Sequence, residues 1–138
     1  MAMTAPDQFH ELVPFEALLG IELIEATSEL VRARLRWEPE RCTAGGILHG
    51  GALMGLADEC GGICAFLNLP EGASGTATIE SKTNFLRGVS EGSVTATARP
   101  LHKGRSMLVV ESELTREDGK LVAKVTQTQI FHFRKNSV

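Results

Sequence analysis

The residues best suited to chemistry lie in one short stretch, residues 45–59, which reads GGILHGGALMGLADE. Gly50 and Gly51 follow His49 and open a run with helical spacing, so they should present bare backbone N–H groups at a helix N-terminus. Such donors, reinforced by the helix dipole, suit a carbonyl oxygen that is becoming an oxyanion. Asp58 lies in the middle of the same apolar run, where a buried carboxylate must be paired or must serve a pocket.

The spacing of these groups bears on how they act together. Gly50 and Asp58 are eight residues apart, which is roughly 12 Å along a helix, so one reacting carbonyl cannot readily touch both. If both act on one substrate, a second copy of the chain supplies one of them, which predicts a dimer with two composite sites. The alternatives are a carboxylate that reaches solvent and glycines that serve only close packing. Glu59 points about a hundred degrees away from Asp58, so we expect it to lie outside the site.

The elements that must position these residues follow from the hydrophobic periodicity. Residues 7–19 predict one short helix or two turns that end at Gly20, and residues 21–26 and 31–37 predict a hairpin. Residues 49–67 predict one long helix whose many glycines require another backbone or helix at close range. Four strands are predicted after it, at residues 76–86, 93–101, 105–116 and 121–133, and strict alternation in the first of them puts Thr78 and Phe85 on opposite faces.

One central helix segregated from a hairpin and a meander of strands predicts an α+β fold in a single domain over residues 1–138. A sheet of this length must cover something, and only one element is long enough. We therefore expect a curved antiparallel sheet wrapped around one long central helix, the hotdog arrangement. Such a sheet leaves an edge strand open, and pairing with a second copy is a common remedy.

Composition excludes several classes of function. A net charge of -3 argues against a nucleic-acid partner, since such proteins carry a basic excess. No signal peptide or membrane span is expected, so the chain is predicted to be cytoplasmic, with no membrane partner. Cys42, Cys60 and Cys64 form no metal-ligand spacing and are expected to be buried free thiols, and neither a metal nor a cofactor is predicted.

The stretch from Leu48 to Gly51, followed by Leu56-Ala57-Asp58, resembles the hotdog acyl-CoA thioesterase superfamily, in particular its PaaI-type branch. The similarity runs from about residue 18 to residue 133. It includes residues 84–87, which read NFLR, and residues 102–105, which read HKGR. The pattern of HGG plus an acidic residue is fairly specific for the superfamily but does not name the substrate.

The resemblance implies a role for each matching residue. Asp58 matches the acid that attacks the thioester carbonyl or activates water, and Gly50 matches the residue whose N–H polarises that carbonyl. Thr78 matches the hydroxyl residue that helps to position the water or the carboxylate. His49 matches the motif histidine, expected to be structural. Other matching residues correspond to positions that bind the CoA part of the substrate, and their cations could contact its phosphates. These residues are Gly51, Phe85, Arg87, Gly88, His102, Lys103, Gly104 and Arg105.

One position departs from the pattern. Six residues before His49, many members carry Asn or Gln, and this chain has Thr43, whose hydroxyl is shorter and lacks the second group of an amide. The resemblance implies that the residue at this position helps to hold the water or the thioester, and the Thr43 hydroxyl can donate one hydrogen bond there.

The predicted function is hydrolysis of an acyl- or aryl-CoA thioester to the free acid and CoA. The predicted assembly is a homodimer, two of which pair again to form a homotetramer. A non-catalytic acyl-CoA binding protein and an enoyl-thioester hydratase or dehydratase are the alternatives. We expect the acyl group to lie between the two central helices, against Leu53, Met54, Leu56 and Ala57.

Overall fold

The computed structural model describes residue 9 and residues 11–135, so the start of the predicted first helix lies outside the described residues. A short helix and a hairpin precede the long helix, and four strands follow it, as the periodicity predicts. A 3-10 turn, Pro39–Arg41, lies between the hairpin and the long helix. The elements are α1 (Pro14–Leu19), β1 (Glu22–Ala26), β2 (Val31–Arg36), α2 (Gly50–Phe66), β3 (Ala73–Phe85), β4 (Ser93–Lys103), β5 (Met107–Arg116) and β6 (Leu121–Phe133).

The six strands form one antiparallel sheet in the order β1-β2-β4-β5-β6-β3. The predicted meander is correct only for β4, β5 and β6. It is wrong for β3, which pairs with β6 at the far edge instead of with β4. The reason is that α2 crosses the whole sheet between β2 and β3, so the chain re-enters the sheet at the opposite side. This arrangement leaves the outer edge of β3 open in the described chain.

The core lies between α2 and the concave face of the sheet, and α2 contacts β2, β3, β4, β5 and β6. The helix buries Leu53, Leu56, Cys60 and Cys64 against the strands, where each fully buried leucine contributes about 1.5–3 kcal/mol. A curved antiparallel sheet around one long helix is the predicted hotdog architecture, which is confirmed. One helix face is left uncovered by the sheet, and it consists of Gly51, Met54, Gly55, Asp58, Glu59, Gly62 and Phe66.

A β-bulge in β3 changes which side chains share a face. The pairing of β3 with β6 shifts between Thr78 and Glu80, so Ile79 is the extra residue. Before the bulge Thr78 is opposite Gln129, and after it Phe85 is opposite Ala123. Because Gln129 and Ala123 both belong to the buried row of β6, Thr78 and Phe85 lie on the same face. The prediction of opposite faces was therefore wrong, since simple alternation cannot anticipate an extra residue.

Among the described residues, no helix is long and apolar enough to cross a membrane.

Candidate active site

The carboxylate of Asp58 is held by two donors from the sheet. The Thr78 hydroxyl donates to Asp58 Oδ1 at 2.9 Å, and Gln127 Nε2 donates to the same oxygen at 2.9 Å. Both bonds end on Oδ1, and no residue of the described chain donates to Oδ2. Two donors fix the plane of the carboxylate and leave its second oxygen available to a substrate or a water molecule.

The Thr78 hydroxyl is itself oriented by a second glutamine. Gln129 Nε2 donates to Thr78 Oγ1 at 2.6 Å. Since a hydroxyl carries one proton, a donor arriving at its oxygen directs that proton to the remaining acceptor, which is Asp58. The β3 bulge makes this contact possible, because it brings Thr78 opposite Gln129. We call Asp58, Thr78, Gln127 and Gln129 the acid half-site.

The acid half-site opens onto a cavity of about 380 Å³. Asp58, Thr78 and Gln129 line it together with Glu59 and Thr76, and the rest of the wall is apolar. A cavity with an apolar wall and a few convergent polar groups is typical of a small-molecule site. The apolar lining consists of Phe9, Leu12, Val13, Ile63, Phe66 and Ala77, with Phe9 and Phe66 packed edge to face at a ring-centroid distance of 6.3 Å.

This lining differs from the predicted one. Leu56 and Ala57 have no exposed surface and Leu53 is also buried, because all three face the sheet. Of the four predicted residues, Met54 alone lies on the uncovered face of α2. The prediction is therefore wrong for Leu56 and Ala57, whereas Leu53 borders a separate surface depression together with Gly50 and Phe85.

Glu59 also departs from expectation, because it lines the same cavity as Asp58. The uncovered face of α2 is wide enough to include both residues. Burial, a hydrogen bond with Glu16 and the charges of Glu16 and Asp58 raise the pKa of Glu59 to about 8. The acid half-site therefore has a second carboxyl group beside it that holds its proton at neutral pH.

The cysteines are free, as predicted. Cys60 and Cys64 are buried in the core, whereas Cys42 is only half-buried, and its thiol donates to the Glu38 carbonyl at 3.3 Å. Burial raises the pKa of the Cys60 thiol far above its ordinary value and that of Cys64 to about 11. Neither buried thiol is a nucleophile near neutral pH, because the thiolate is the reactive form.

The N-terminus of α2 provides a backbone donor. His49 is the N-cap, and its Nδ1 accepts from the Gly51 N–H at 2.7 Å. His49 therefore caps the helix, and this bond uses the Gly51 N–H. No described residue accepts from the Gly50 N–H, which leaves it free for an incoming oxygen. The Phe85 ring lies against Gly50, where an added Cβ would come within 3.1 Å of it. We call Gly50, His49 and Phe85 the donor half-site.

The remaining predicted residues lie outside the two half-sites, and most of them lie at one or the other end of the sheet. Gly88 lies beside Gly50 in a surface depression, and Arg87, in the same depression, donates to the Leu121 carbonyl at 2.8 Å. Thr43 precedes α2 in a turn in which its N–H donates to the Ile47 carbonyl. The other residues lie in and beside the β4–β5 turn, at the end of the sheet opposite to Phe85: His102, Lys103, Gly104 and Arg105.

Sheet register fixes how far apart these groups are. The β4–β5 turn precedes Met107, which is opposite Ile130, and Ile130 is opposite Ala77 beside Thr78. Phe85, by contrast, is opposite Ala123. The positions on β6 opposite Thr78 and Phe85 are six residues apart, which is roughly 20 Å along a strand. Within one chain, therefore, the structure brings Asp58 and Thr78 together but not Asp58 and Gly50.

Sequence reasoning missed Gln127 and Gln129. The available signal was their position, because the inward-facing residues of β6 alternate as Ala123, Val125, Gln127, Gln129 and Phe131. Two long amides in a row that is otherwise apolar call for partners inside the fold. In the part of the chain that the structure describes, no three His, Cys, Asp or Glu side chains cluster as metal ligands would.

Comparison with known proteins shows the family and the fold to which this geometry belongs. Residues 45–123 match the sequence profile of the Thioesterase superfamily. A Deinococcus radiodurans protein that is provisionally named an esterase is 34% identical, over 87% of this chain and 86% of its own. The crystallised mutant thioesterase PA1618 of Pseudomonas aeruginosa is 28% identical with a TM-score of 0.87, over 94% of each chain. The Escherichia coli PaaI protein from the phenylacetic acid degradation operon shares the fold, with a TM-score of 0.80 at 22% identity over 95% of this chain and 91% of its own.

Proposed function

The chain belongs to the thioesterase superfamily, and we propose that it hydrolyses acyl-CoA thioesters at a site shared by two copies of the chain. One observation carries the proposal. The Asp58 carboxylate has Oδ1 held by two donors, has an Oδ2 to which no described residue donates, and faces an apolar cavity of about 380 Å³. A carboxylate held in this way suits a base for water or a nucleophile toward a carbonyl carbon.

The reaction uses few groups. Asp58 takes a proton from a water molecule as the water oxygen attacks the thioester carbonyl carbon. The carbonyl electrons move onto the oxygen, where the Gly50 N–H and the N-terminal dipole of α2 stabilise the negative charge. When the intermediate collapses, the C–S bond breaks and the departing thiolate takes up the proton, which gives the acid and free CoA. Alternatively, Asp58 itself attacks the carbonyl carbon and the C–S bond breaks to release the CoA thiolate. Water then cleaves the resulting anhydride to the acid and the free Asp58 carboxylate, and the proton released goes to the thiolate.

The separation of the two half-sites supports a two-chain site. Asp58 and Gly50 lie roughly 12 Å apart on one helix, too far to act on the same carbonyl. The open edge of β3 is 13 residues long and exposes 57% of Ile79, which makes it a strand that favours pairing. A twofold axis near the middle of β3 would place the Thr78 end of each chain beside the Phe85 end of the other. Each acid half-site would then meet the other chain's donor half-site.

The other edge strand of the sheet, β1, is less suited to pairing with a second copy. β1 has five residues, and its outward charges are engaged by β2. Glu22 forms ion pairs with Arg34 at 2.7 Å and with Arg36 at 2.6 Å, and Glu25 pairs with Arg32 at 3.2 Å. A short edge strand that carries charged side chains protects a sheet from association. We therefore place the dimer at β3, and a further pairing of dimers would use another surface.

The same geometry suggests where the two ends of the substrate lie. Phe9, Phe66 and their apolar neighbours would receive the acyl group, and the cavity is large enough for an aryl or a medium aliphatic chain. Arg87 from one chain, and Lys103 and Arg105 from the other, would be the cations nearest the CoA phosphates, because the twofold axis brings those two groups together.

The test is free-thiol release from a panel that includes benzoyl-CoA and hexanoyl-CoA. Wild type should release thiol from at least one member, and Asp58→Asn should lose at least about a hundredfold in rate, or roughly 2.7 kcal/mol of transition-state stabilisation. Both proteins carry the same cysteines, so their own thiol signal cancels.

Three other outcomes would contradict the proposal. Binding of the thioesters without turnover would favour a non-catalytic acyl-CoA binding protein. Addition of water to an enoyl-CoA without thiol release would favour a hydratase. Equal thiol release from the Asp58→Asn variant would show that the site is assigned to the wrong residue.

A further inference from the structure

Two buried amides bear directly on the acid half-site. Gln127 is fully buried and Gln129 is 1% exposed, and both lie in the inward-facing row of β6. An amide buried without hydrogen bonds destabilises the fold, so apolar residues are the usual choice for such a row. Here the N–H groups are used, because Gln127 donates to Asp58 and Gln129 donates to Thr78.

The rest of the Gln127 side chain gains little from its position. Its Oε1 is buried and accepts no hydrogen bond from the described residues. It also requires a glycine beneath it, because a Cβ on Gly61 would lie 1.8 Å from this oxygen. A second contact of its Nε2, to the Ser81 hydroxyl, is longer at 3.3 Å. An apolar side chain would fill the space without an unpaired oxygen, so the purpose of this amide lies in its donor and not in packing.

The bonds have a definite direction. Gln129 donates to Thr78, Thr78 donates to Asp58, and Gln127 donates to Asp58 from the other side. The two bonds that reach Asp58 both end on Oδ1, and the bond from Gln129 ends on Thr78 Oγ1. The two amides therefore select the carboxylate oxygen that stays free, and they do so from a rigid buried strand, whose precision a loop would not match.

We propose that Gln127 and Gln129 are positioning residues, which act through Asp58 and through Thr78 respectively to present Asp58 Oδ2 to the reacting thioester. The inference rests on the proposed function. It assigns to β6 a part in catalysis although neither glutamine needs to touch the substrate's reacting atoms.

A double-mutant cycle tests the route through Thr78. Gln129→Met keeps the length of the side chain and removes the amide, and it should lower kcat about tenfold or more with KM within about twofold. Thr78→Val should lower kcat at least as much. The double variant should be no slower than Thr78→Val alone, because the glutamine then has nothing to orient. Independent losses that multiply would overturn the proposal, as would an unchanged kcat in Gln129→Met.

Gln127 offers the parallel test. Gln127→Met should lower kcat in wild type and have no further effect in Asp58→Asn. Gly61→Ala should reproduce the loss without removing the amide, because its Cβ displaces Gln127 Oε1. Ser112→Ala is the matched control, since Ser112 is 1% exposed on β5 and its Oγ has no described partner. It removes a buried polar group outside the acid half-site and should leave kcat unchanged.

A second readout needs no substrate. In protein labelled with 15N-glutamine, Thr78→Val should move the side-chain amide signals of Gln129, and Asp58→Asn should move those of Gln127. Ser112→Ala should move neither. If wild type releases no thiol from any thioester, the proposed function has failed. Even then, the amide signals show whether the two glutamines contact Thr78 and Asp58. If the signals did not move in Thr78→Val and Asp58→Asn, this result alone would overturn the inference.

Discussion

The acid half-site and the donor half-site are built from different parts of the polypeptide. The acid half-site consists of side chains, and three of them serve to hold one carboxylate in place. The donor half-site offers a backbone N–H, which the start of α2 exposes without help from any side chain at that position. The difference teaches that the two halves fail in different ways. Side-chain replacement disables the first, whereas only loss of the N–H itself disables the second.

Proline at position 50 would break the donor half-site alone. The Gly50 N–H has no described partner, and proline is well accommodated at the first residue of a helix. His49 has φ -64° and ψ 136°, a conformation that a following proline permits. Gly50→Pro should therefore fold and lower kcat about 10²–10³-fold, the usual loss for one oxyanion donor. Thiol release and thermal unfolding measure the two effects.

Gly50→Ala is the matched control for that variant. It keeps the N–H and adds the same Cβ, which lies 3.1 Å from the Phe85 ring and needs a small shift of that ring. We expect it to retain most of the activity. If alanine and proline were equally slow, crowding at Phe85 and not the missing donor would be the cause.

A smaller effect concerns the stability of the fold, through the carboxyl group of Glu59 beside the acid half-site. Burial and the neighbouring Glu16 and Asp58 carboxyls raise the pKa of Glu59 to about 8, so the native chain holds a proton that the unfolded chain gives up near 4.5. The stability due to this proton is complete below pH 4.5 and is lost as the pH rises through 8. Glu59→Gln should remove this loss, so its Tm should fall less than that of wild type between about pH 5 and pH 9.

The control for this pH dependence is Glu29→Gln, which changes an exposed carboxyl on the β1–β2 turn. Its Tm should follow wild type across the same range. An unchanged pH slope in Glu59→Gln would place the titrating group elsewhere.

Sequence patterns predicted the donor half-site more completely than the acid half-site. Gly50, His49 and the helix they begin follow from local spacing, and the structure agrees with each. Asp58 was equally visible as a carboxylate in an apolar run. Its partners were not, because Gln127 and Gln129 are 69 and 71 residues away in the chain and meet it only after β6 has paired with β3.

Two further features lay beyond local patterns. The β3 bulge depends on pairing with β6, and the place of β3 at the sheet edge depends on the path of α2. The sequence also shows Thr43 at a position where many members of the superfamily carry an Asn or Gln amide. The structure brings amides to Asp58 from a buried strand, at Gln127 directly and at Gln129 through Thr78.

The most direct test of a site shared by two chains is complementation between the two half-sites. Asp58→Asn and Gly50→Pro chains, co-expressed with different tags, should each be nearly inactive alone. Random pairing makes half of the dimers mixed, and each mixed dimer regains one intact site, so about a quarter of wild-type thiol release should return. If each site lay within a single chain, the mixture would stay as inactive as its parents, and the shared site would be wrong.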